Sequence, residues 1–221
     1  MINIAIDGPG GAGKSSISRA AAKALNFIYV DTGALYRTIG VYALRKGIDT
    51  TDNDKITETL KDINVELKFI DDVQHVFLNG EDVSDEIRLP EASMAASNVS
   101  AIPSVRAFLF DLQRDIAKKN NCIMDGRDIG TVVLPNADIK IFLTASPQER
   151  ATRRFKELKK TGSNETYEDV LADLIKRDYN DSHREIAPLK PSDDGIIVDT
   201  TGLTLEQSIE KIIGIAKEKI I

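Results

Sequence analysis

The chain has 221 residues, of which 42% are hydrophobic and 29% are charged, a balance typical of a globular protein built on one core. It lacks an apolar run of about 18 residues, the length that a membrane-spanning helix needs, so we expect no membrane partner. The formal net charge of −6 argues against a general nucleic-acid binder, because such a protein needs a basic face to displace counterions. A local cluster of arginines can still hold a small anion.

The single cysteine, Cys122, cannot form an internal disulfide, and its apolar neighbours predict an inert buried thiol. Residues 1–6 lack the basic and apolar segments of a secretion signal. We therefore expect a cytoplasmic protein.

Short apolar strands and amphipathic helices alternate along most of the chain. Strands are predicted at residues 3–6, 27–30, 122–124, 139–144 and 196–198. Helices are predicted at 14–25, 34–45, 52–63, from 103 to about 116, from a capping box at 146–149 to a polar break at 161–164, at 167–184 and at 204–219. Five buried strands separated by helices predict an α/β fold, a parallel five-stranded sheet with helices on both faces.

Residues 64–87 have a different pattern. Residues 65–69 alternate with a period of two, Asp71 and Asp72 predict a turn, residues 76–78 predict a strand, and Asn79-Gly80 favours a hairpin. We interpret this segment as a small antiparallel β-meander inserted between 1–63 and 88–221. It is too small to bury a core alone.

Residues 8–15 match the phosphate-binding P-loop signature. Its backbone N–H groups turn inward around phosphate oxygens, Lys14 reaches the β- and γ-phosphates, and a hydroxyl from Ser15, or alternatively Ser16, ligates Mg²⁺. A chance glycine-rich turn is disfavoured because a buried strand precedes the motif and a helix follows it. The predicted nucleoside triphosphate site comprises Gly8, Pro9, Gly10, Gly11, Ala12, Gly13, Lys14, Ser15 and Ser16.

Several arginines lie where chain elements return to the carboxyl ends of the strands, the edge at which such sheets bind ligands. Arg37 follows residues 31–36, and Arg127 follows a predicted strand end. Arg177, Asp181 and Arg184 share one predicted helical face. That face is either an ion network within the helix or a ligand-binding surface, and the less favourable order of arginine before aspartate slightly favours the ligand.

Five blocks of sequence resemble the bacterial-type cytidylate kinase family. They are residues 8–16, residues 31–37 (Asp-Thr-Gly-Ala-Leu-Tyr-Arg), the meander, residues 125–133 (Asp-Gly-Arg-Asp-Ile-Gly-Thr-Val-Val) and the segment 184–189. The Gly-Arg-Asp block and the meander are much more specific than the P-loop.

The resemblance implies an ATP- and Mg²⁺-dependent kinase that phosphorylates CMP or dCMP, a P-loop NTPase-like fold, a nucleoside monophosphate (NMP)-binding role for the meander and a helical lid at about 146–167. It implies that Lys14, Arg127, Arg153 and Arg184 act in catalysis, with Arg150 and Arg154 as further lid arginines. It implies a CMP site made of Thr32, Tyr36, Arg37, Ser97, Arg106, Arg127, Asp128, Arg177, Asp181 and Arg184. Many relatives have serine at position 32, and the hydroxyl is retained. The expected partners are ATP and CMP or dCMP alone, bound to a monomer.

The chemistry of the acceptor agrees with this set. A phosphate ester has its second pKa near about 6 and is already ionised at pH 7, so transfer needs alignment and charge neutralisation more than a general base. We therefore interpret His75 and His183 as non-catalytic. Two alternatives stay open: a kinase of another small acceptor, and a regulatory P-loop switch or ATPase, although the chain lacks the Asn-Lys-x-Asp motif of guanine-specific switches.

Overall fold

The computed structural model describes residues 1–70, 73–160 and 162–220, in two units. The first unit combines Met1–Tyr29 with Asn120–Ile221, and the second is Val30–Lys119. In chain order the strands are β1 Asn3–Asp7, β2 Ile28–Asp31, β3 Val65–Ile70, β4 Val73–Leu78, β5 Glu81–Asp82, β6 Cys122–Gly126, β7 Ile139–Thr144 and β8 Ile196–Asp199. The helices are α1 Lys14–Leu25, α2 Thr32–Arg45, α3 Asn53–Thr59, α4 Pro90–Val99, α5 Pro103–Lys119, α6 Pro147–Lys160, α7 Tyr167–His183 and α8 Leu205–Ile220.

The predicted parallel sheet is confirmed, with the strand order β2-β6-β1-β7-β8. The central strand β1 runs parallel to both neighbours, and its Ile4 pairs with Ile123 on one side and Ile139 on the other. These side chains are fully or almost fully buried, which agrees with the mainly apolar character of the three strands. Helices α1 and α8 pack on the sheet through a common apolar cluster.

Cys122 has the predicted inert character. It lies on β6 beside Asn3 of β1, and burial raises the pKa of its thiol to about 12. Hardly any thiolate is therefore present near neutral pH.

Among the described residues, no helix combines the length and apolar character that crossing a bilayer requires.

In the second unit, the meander is a three-stranded antiparallel sheet in the order β3-β4-β5. Asn79 and Gly80 both have positive φ, 51° and 85°, as the predicted hairpin turn requires. Val76 and Leu78 belong to the same apolar cluster as Leu35 of α2, so the meander has no separate core. The turn predicted at residues 71–72 lies outside the described residues.

Helix α4 was not predicted from the sequence. Its buried face consists of Ala92, Ala95, Ala96 and Val99, small side chains that give a weak apolar signal. Small residues suit a close contact with α2, where a Cβ added to Gly40 would lie 2.7 Å from the Cβ of Ala95. Pro90 at the first turn and the alanine stripe were the available signals.

Several element ends differ from prediction. Helix α2 begins at Thr32, not at residue 34, because the Asp31 carboxylate caps it by accepting from the Ala34 N–H. Residues 60–62, predicted as helix, form a 3₁₀ turn after α3. The capping box predicted at 146–149 is half formed: the Ser146 hydroxyl accepts from the Glu149 N–H, but the Ser146 N–H donates to Thr201.

Two glycines inside helices provide a matched stability test. A Cβ at Gly214 of α8 meets no atom within 4 Å, whereas a Cβ at Gly40 meets Ala95. Gly214→Ala should therefore raise the free energy of unfolding by about 0.5–1 kcal/mol through helix propensity. Gly40→Ala should lower it by about 1–3 kcal/mol through overpacking. Equilibrium urea unfolding measures both, and equal effects of the two changes would contradict the α2–α4 contact.

Candidate functional site

The P-loop joins β1 to α1 with the backbone geometry that a phosphate cradle needs. Gly13 adopts a left-handed conformation (φ 85°) directly before Lys14, the first residue of the helix. Gly8 lies so close to β7 that an added Cβ would be 2.0 Å from the carbonyl oxygen of Leu143. The N-terminal end of α1, with its positive dipole, therefore opens onto the loop.

Three carbonyls of this loop accept hydrogen bonds from cationic side chains. The Lys14 Nζ donates to the Pro9 carbonyl (2.8 Å), and the buried Arg150 guanidinium donates to that of Gly10 (2.9 Å). Arg153 donates to the carbonyl of Ala12 (3.5 Å). These contacts hold the predicted arginines Arg150 and Arg153 at the cradle.

Other contacts fix the orientation of the arginines on α6. Arg150 donates to both carboxylate oxygens of Asp178 on α7, at 3.1 and 2.5 Å. Arg153 donates to the Thr200 carbonyl (3.1 Å). Arg154 instead pairs with Glu157 on the same helix, and its side chain is 42% exposed.

Lys14 lies at the centre of a cationic cluster. Burial lowers the pKa of its ammonium well below the usual value, and the charges of Arg127 and Arg177 lower it further. Asp125 and Asp7 act in the opposite direction without overcoming these effects. An anion bound at Lys14 would relieve the repulsion, so the electrostatics favour an anionic ligand at the P-loop.

The Ser15 hydroxyl donates to Asp125 (2.9 Å), and the Tyr29 hydroxyl donates to the other oxygen of the same carboxylate (3.3 Å). A hydroxyl oxygen beside a carboxylate is the hard-oxygen environment that Mg²⁺ prefers, and Mg²⁺ takes most of its other ligands from water and phosphates. The residues therefore fit a Mg²⁺ ion held through a nucleotide. Groups of three or more acidic, histidine or cysteine residues that could hold a metal alone are absent from the described residues.

The Asp7 carboxylate, at the end of β1, anchors the segment that follows β6. Its two oxygens accept from the N–H groups of Ile129 (2.7 Å) and Gly130 (2.8 Å), at the start of a π-helical turn over Ile129–Val133. This turn, which the sequence did not predict, immediately follows Arg127 and Asp128. Asp7 of β1 thus fixes the backbone that follows Arg127 and Asp128.

Arg127, the residue after β6, donates from Nε to the Asp181 carboxylate of α7 (2.8 Å), and the two form an ion pair. Burial alone would raise the pKa of Asp181, but the charges of Arg127, Arg177 and Arg184 outweigh it and lower that pKa. Arg127 and Arg177 also both approach Gly10, whose added Cβ would lie 3.8 Å from an atom of each.

The helix predicted at residues 167–184 ends one residue early, and Arg184 is its C-cap. Helix α7 ends at His183, and Arg184 has an extended backbone (ψ 144°). Its Nε donates to the Ala187 carbonyl (2.6 Å), and its Nη2 reaches Asp128 (3.4 Å). Arg184 thus approaches Asp128, while Asp181 pairs with Arg127.

The second unit holds the other predicted residues. The Asp31 carboxylate receives the Arg37 guanidinium (2.7 Å) with one oxygen and caps α2 with the other. Thr32 is buried beside them, on the first turn of α2. The buried Arg106 of α5 lies over the ring of Tyr36, 6.0 Å from its centroid, a cation–π distance.

Ser97 lies on α4, where its carbonyl accepts from the Ser100 hydroxyl. The two histidines make surface contacts: His75 pairs with Asp82 (2.8 Å), and His183 stacks on Tyr179 (4.0 Å between ring centroids). The structure thus gathers the predicted residues into two sets, one in each unit. Sequence reasoning missed Asp178 and Tyr29, because their partners lie 28 and 96 residues away and leave no local pattern.

The raised pKa of the buried Asp7 carboxyl predicts a pH dependence of stability that can be measured. Burial raises its pKa to about 6 from an ordinary value near 3.8, despite the two backbone hydrogen bonds. Between pH 3.8 and 6, the Asp7 carboxyl is therefore protonated in the folded state but ionised in the unfolded state. The stability that the protonated carboxyl contributes is fully present below pH 3.8 and is lost as the pH rises through 6.

Since Asp7→Asn cannot ionise, its free energy of unfolding relative to the unmodified protein should rise by about 2–3 kcal/mol between pH 4 and 7. Urea unfolding at several pH values measures this difference. Asp193→Asn, an exposed change, serves as the control and should give a flat difference. A flat difference for Asp7→Asn as well would contradict the raised pKa.

Comparisons with known proteins identify the family of this chain. The family model described as Cytidylate kinase matches residues 4–218. The cytidylate kinase of Caldicellulosiruptor bescii is 51% identical over 212 residues, which cover 96% of this chain and 94% of that protein. The cytidylate kinase of Carboxydothermus hydrogenoformans is 46% identical over 218 residues, covering 99% and 98%.

Among solved structures, an uncharacterized protein from Eubacterium ventriosum shares the fold, with a TM-score of 0.54 and 12% identity over 98% of this chain and 99% of that one. At this identity the likeness extends to the fold alone. The match to the family model and the identity to its members cover nearly the whole chain, and the chain belongs to the cytidylate kinase family.

Proposed function

We propose that this protein transfers the γ-phosphoryl group of ATP to CMP or dCMP, giving ADP and CDP or dCDP. Its membership of the cytidylate kinase family supports the activity. The observation that carries the mechanism is the cationic cluster at the P-loop, where Lys14 lies in the field of Arg127 and Arg177. Such a cluster stabilises the charge that develops on a phosphoryl group in transit.

On the donor side, residues 8–16 would hold the ATP phosphates, and Lys14 would contact the β- and γ-phosphates. Arg153 is the lid arginine that we assign to catalysis, because it contacts the loop carbonyl of Ala12 and is held by Thr200. Mg²⁺ would be bound through ATP by Ser15, whose contact with Asp125 favours it over Ser16. When bound, Mg²⁺ neutralises phosphate charge; the residues supply alignment and further positive charge.

On the acceptor side, Arg37, Arg127 and Arg184 would hold the CMP phosphate, with Thr32 and Tyr36 beside the nucleotide. Arg177 and Asp181 would contact the ribose. Ser97, Arg106 and Asp128 would face the base. Each of Arg37, Arg127 and Arg184 has an aspartate partner in its own unit, which supports a fixed guanidinium orientation.

The monophosphate oxygen needs no general base, since it is already ionised near neutral pH. It attacks the γ-phosphorus in line while the bond to the β-phosphate oxygen of ATP breaks, and ADP leaves. The surface contacts of both histidines agree with a mechanism that uses neither.

We further propose that residues 64–87 are the NMP-binding insert and residues 146–167 the lid, with 1–63 and 88–221 as the kinase core. The enzyme is proposed to be a cytoplasmic monomer without nucleic-acid or membrane partners. The net charge of −6 supports the absence of a nucleic-acid partner, and the single, buried Cys122 thiol agrees with a reducing compartment.

A substrate panel tests the activity. With ATP and Mg²⁺, ADP release in a coupled assay should be fastest with CMP and dCMP, because an aspartate such as Asp128 accepts from the cytosine N4 amino group and repels the uracil oxygen. Comparable rates with AMP or GMP would refute the base assignment. UMP serves as the nearest competitor.

Lys14→Ala tests the phosphate cradle. Removing the ammonium should lower kcat about 10²- to 10³-fold, since it deletes a charge that stabilises the transition state. Lys23→Ala, on the exposed face of the same helix, should keep full activity. Circular dichroism confirms the fold of both variants, and an active, folded Lys14→Ala variant would contradict the donor site.

Asp128→Asn tests base selection. The amide can donate to the uracil oxygen, so the ratio of kcat/KM for CMP over UMP should fall about tenfold or more, in line with about 1–3 kcal/mol for such a contact. Asp193→Asn is the exposed control. If the ratio stays constant in Asp128→Asn, another residue reads the base.

A further inference from the structure

We propose that Gln74, on β4 of the meander, is a positioning residue. It fixes, through Asp31, the orientation of Arg37, the arginine assigned to the acceptor phosphate. The inference rests on the proposed function, because Arg37 is assigned to the CMP phosphate there. It gives the meander a specific task in the reaction, carried by one amide side chain.

The Gln74 amide makes two hydrogen bonds to the backbone of a single residue. Its Oε1 accepts from the Asp31 N–H (2.8 Å), and its Nε2 donates to the Asp31 carbonyl (3.3 Å). The side chain thereby mimics a neighbouring strand at the end of β2, an edge strand of the parallel sheet. Both polar groups of the Asp31 backbone are thus held by the meander.

The position of Gln74 on its strand explains this contact. Alternate residues of a strand share a face, so Gln74 continues the row of Val76 and Leu78, which are buried in the core of the second unit. An apolar residue in place of Gln74 could not form these two hydrogen bonds to the N–H and the carbonyl of Asp31. His75 lies on the opposite face and pairs with Asp82.

Asp31 passes the constraint to Arg37. With its backbone held by Gln74, its carboxylate caps α2 through the Ala34 N–H (3.1 Å) and receives the Arg37 Nη2 (2.7 Å). Gly33 leaves room for the guanidinium in this position, because an added Cβ there would lie 3.0 Å from Arg37 Nη1. Shifting the Asp31 backbone therefore shifts both the start of α2 and the guanidinium that follows it.

The first measurement is structural and does not need activity. Gln74→Leu keeps a side chain of similar size but removes both hydrogen-bonding atoms, and His75→Leu is the matched control on the other face of β4. Amide hydrogen exchange of Asp31, followed by NMR, should become faster in Gln74→Leu and stay unchanged in His75→Leu. Unchanged exchange in Gln74→Leu would overturn the contact.

The second measurement is kinetic. Gln74→Leu should raise KM for CMP about three- to tenfold, the effect of losing a modest hydrogen-bonded constraint, with KM for ATP unchanged and kcat within about twofold. His75→Leu should leave all three constants unchanged. An equal rise in both KM values would indicate a general structural defect and refute the positioning role.

A double-mutant cycle tests whether the effect passes through Arg37. In an Arg37→Ala background, Gln74→Leu should produce no further rise in KM for CMP; a full rise there would overturn the proposed route. If the unmodified protein phosphorylates CMP but Gln74→Leu keeps its KM, this inference fails and the proposed function stands. If the unmodified protein phosphorylates no monophosphate, the proposed function fails, and the inference with it.

Discussion

The site depends on placing the buried Lys14 close to the partly buried cations Arg127 and Arg177 around one backbone loop. Lys14, Arg127 and Arg177 repel one another strongly enough to lower the pKa of Lys14 well below its usual value, after burial has already lowered it. A protein tolerates such repulsion only where surrounding contacts hold the groups in place. Much of the first unit provides those contacts, and a polyanionic ligand is the partner that relieves the repulsion.

Pairing of an arginine with an aspartate recurs throughout the candidate site. In the first unit Asp178 orients Arg150, Asp181 orients Arg127 and Asp128 approaches Arg184, and in the second Asp31 orients Arg37. A planar guanidinium fixed by a carboxylate on one side can present its remaining N–H groups in a set direction, which a flexible ammonium does not do. The aspartates thus fix the directions in which the arginines can donate hydrogen bonds.

The sequence predicted elements wherever the local pattern was strong. The limits of α1 and β7 agree with prediction, because an apolar stripe defines the helix and a mainly apolar segment defines the strand. Helix α4 was missed because its buried face consists mainly of alanines. The end of α7 was placed one residue too far, since only the long-range contact between Arg184 and Asp128 shows why the chain leaves the helix there. Candidate site residues came from motifs, whereas the pairs that orient them join distant segments and have no periodicity to detect.

The first unit is assembled from both ends of the chain, with Val30–Lys119 between them. Strand β1, which leads into the P-loop, is hydrogen-bonded on both sides to strands that lie more than 110 residues later, β6 and β7. During synthesis, β1 and the loop therefore emerge long before their partners, while the second unit is continuous and can collapse on its own contacts. Closing that long loop is entropically unfavourable, so we expect the phosphate cradle to be among the last parts of the molecule to take shape.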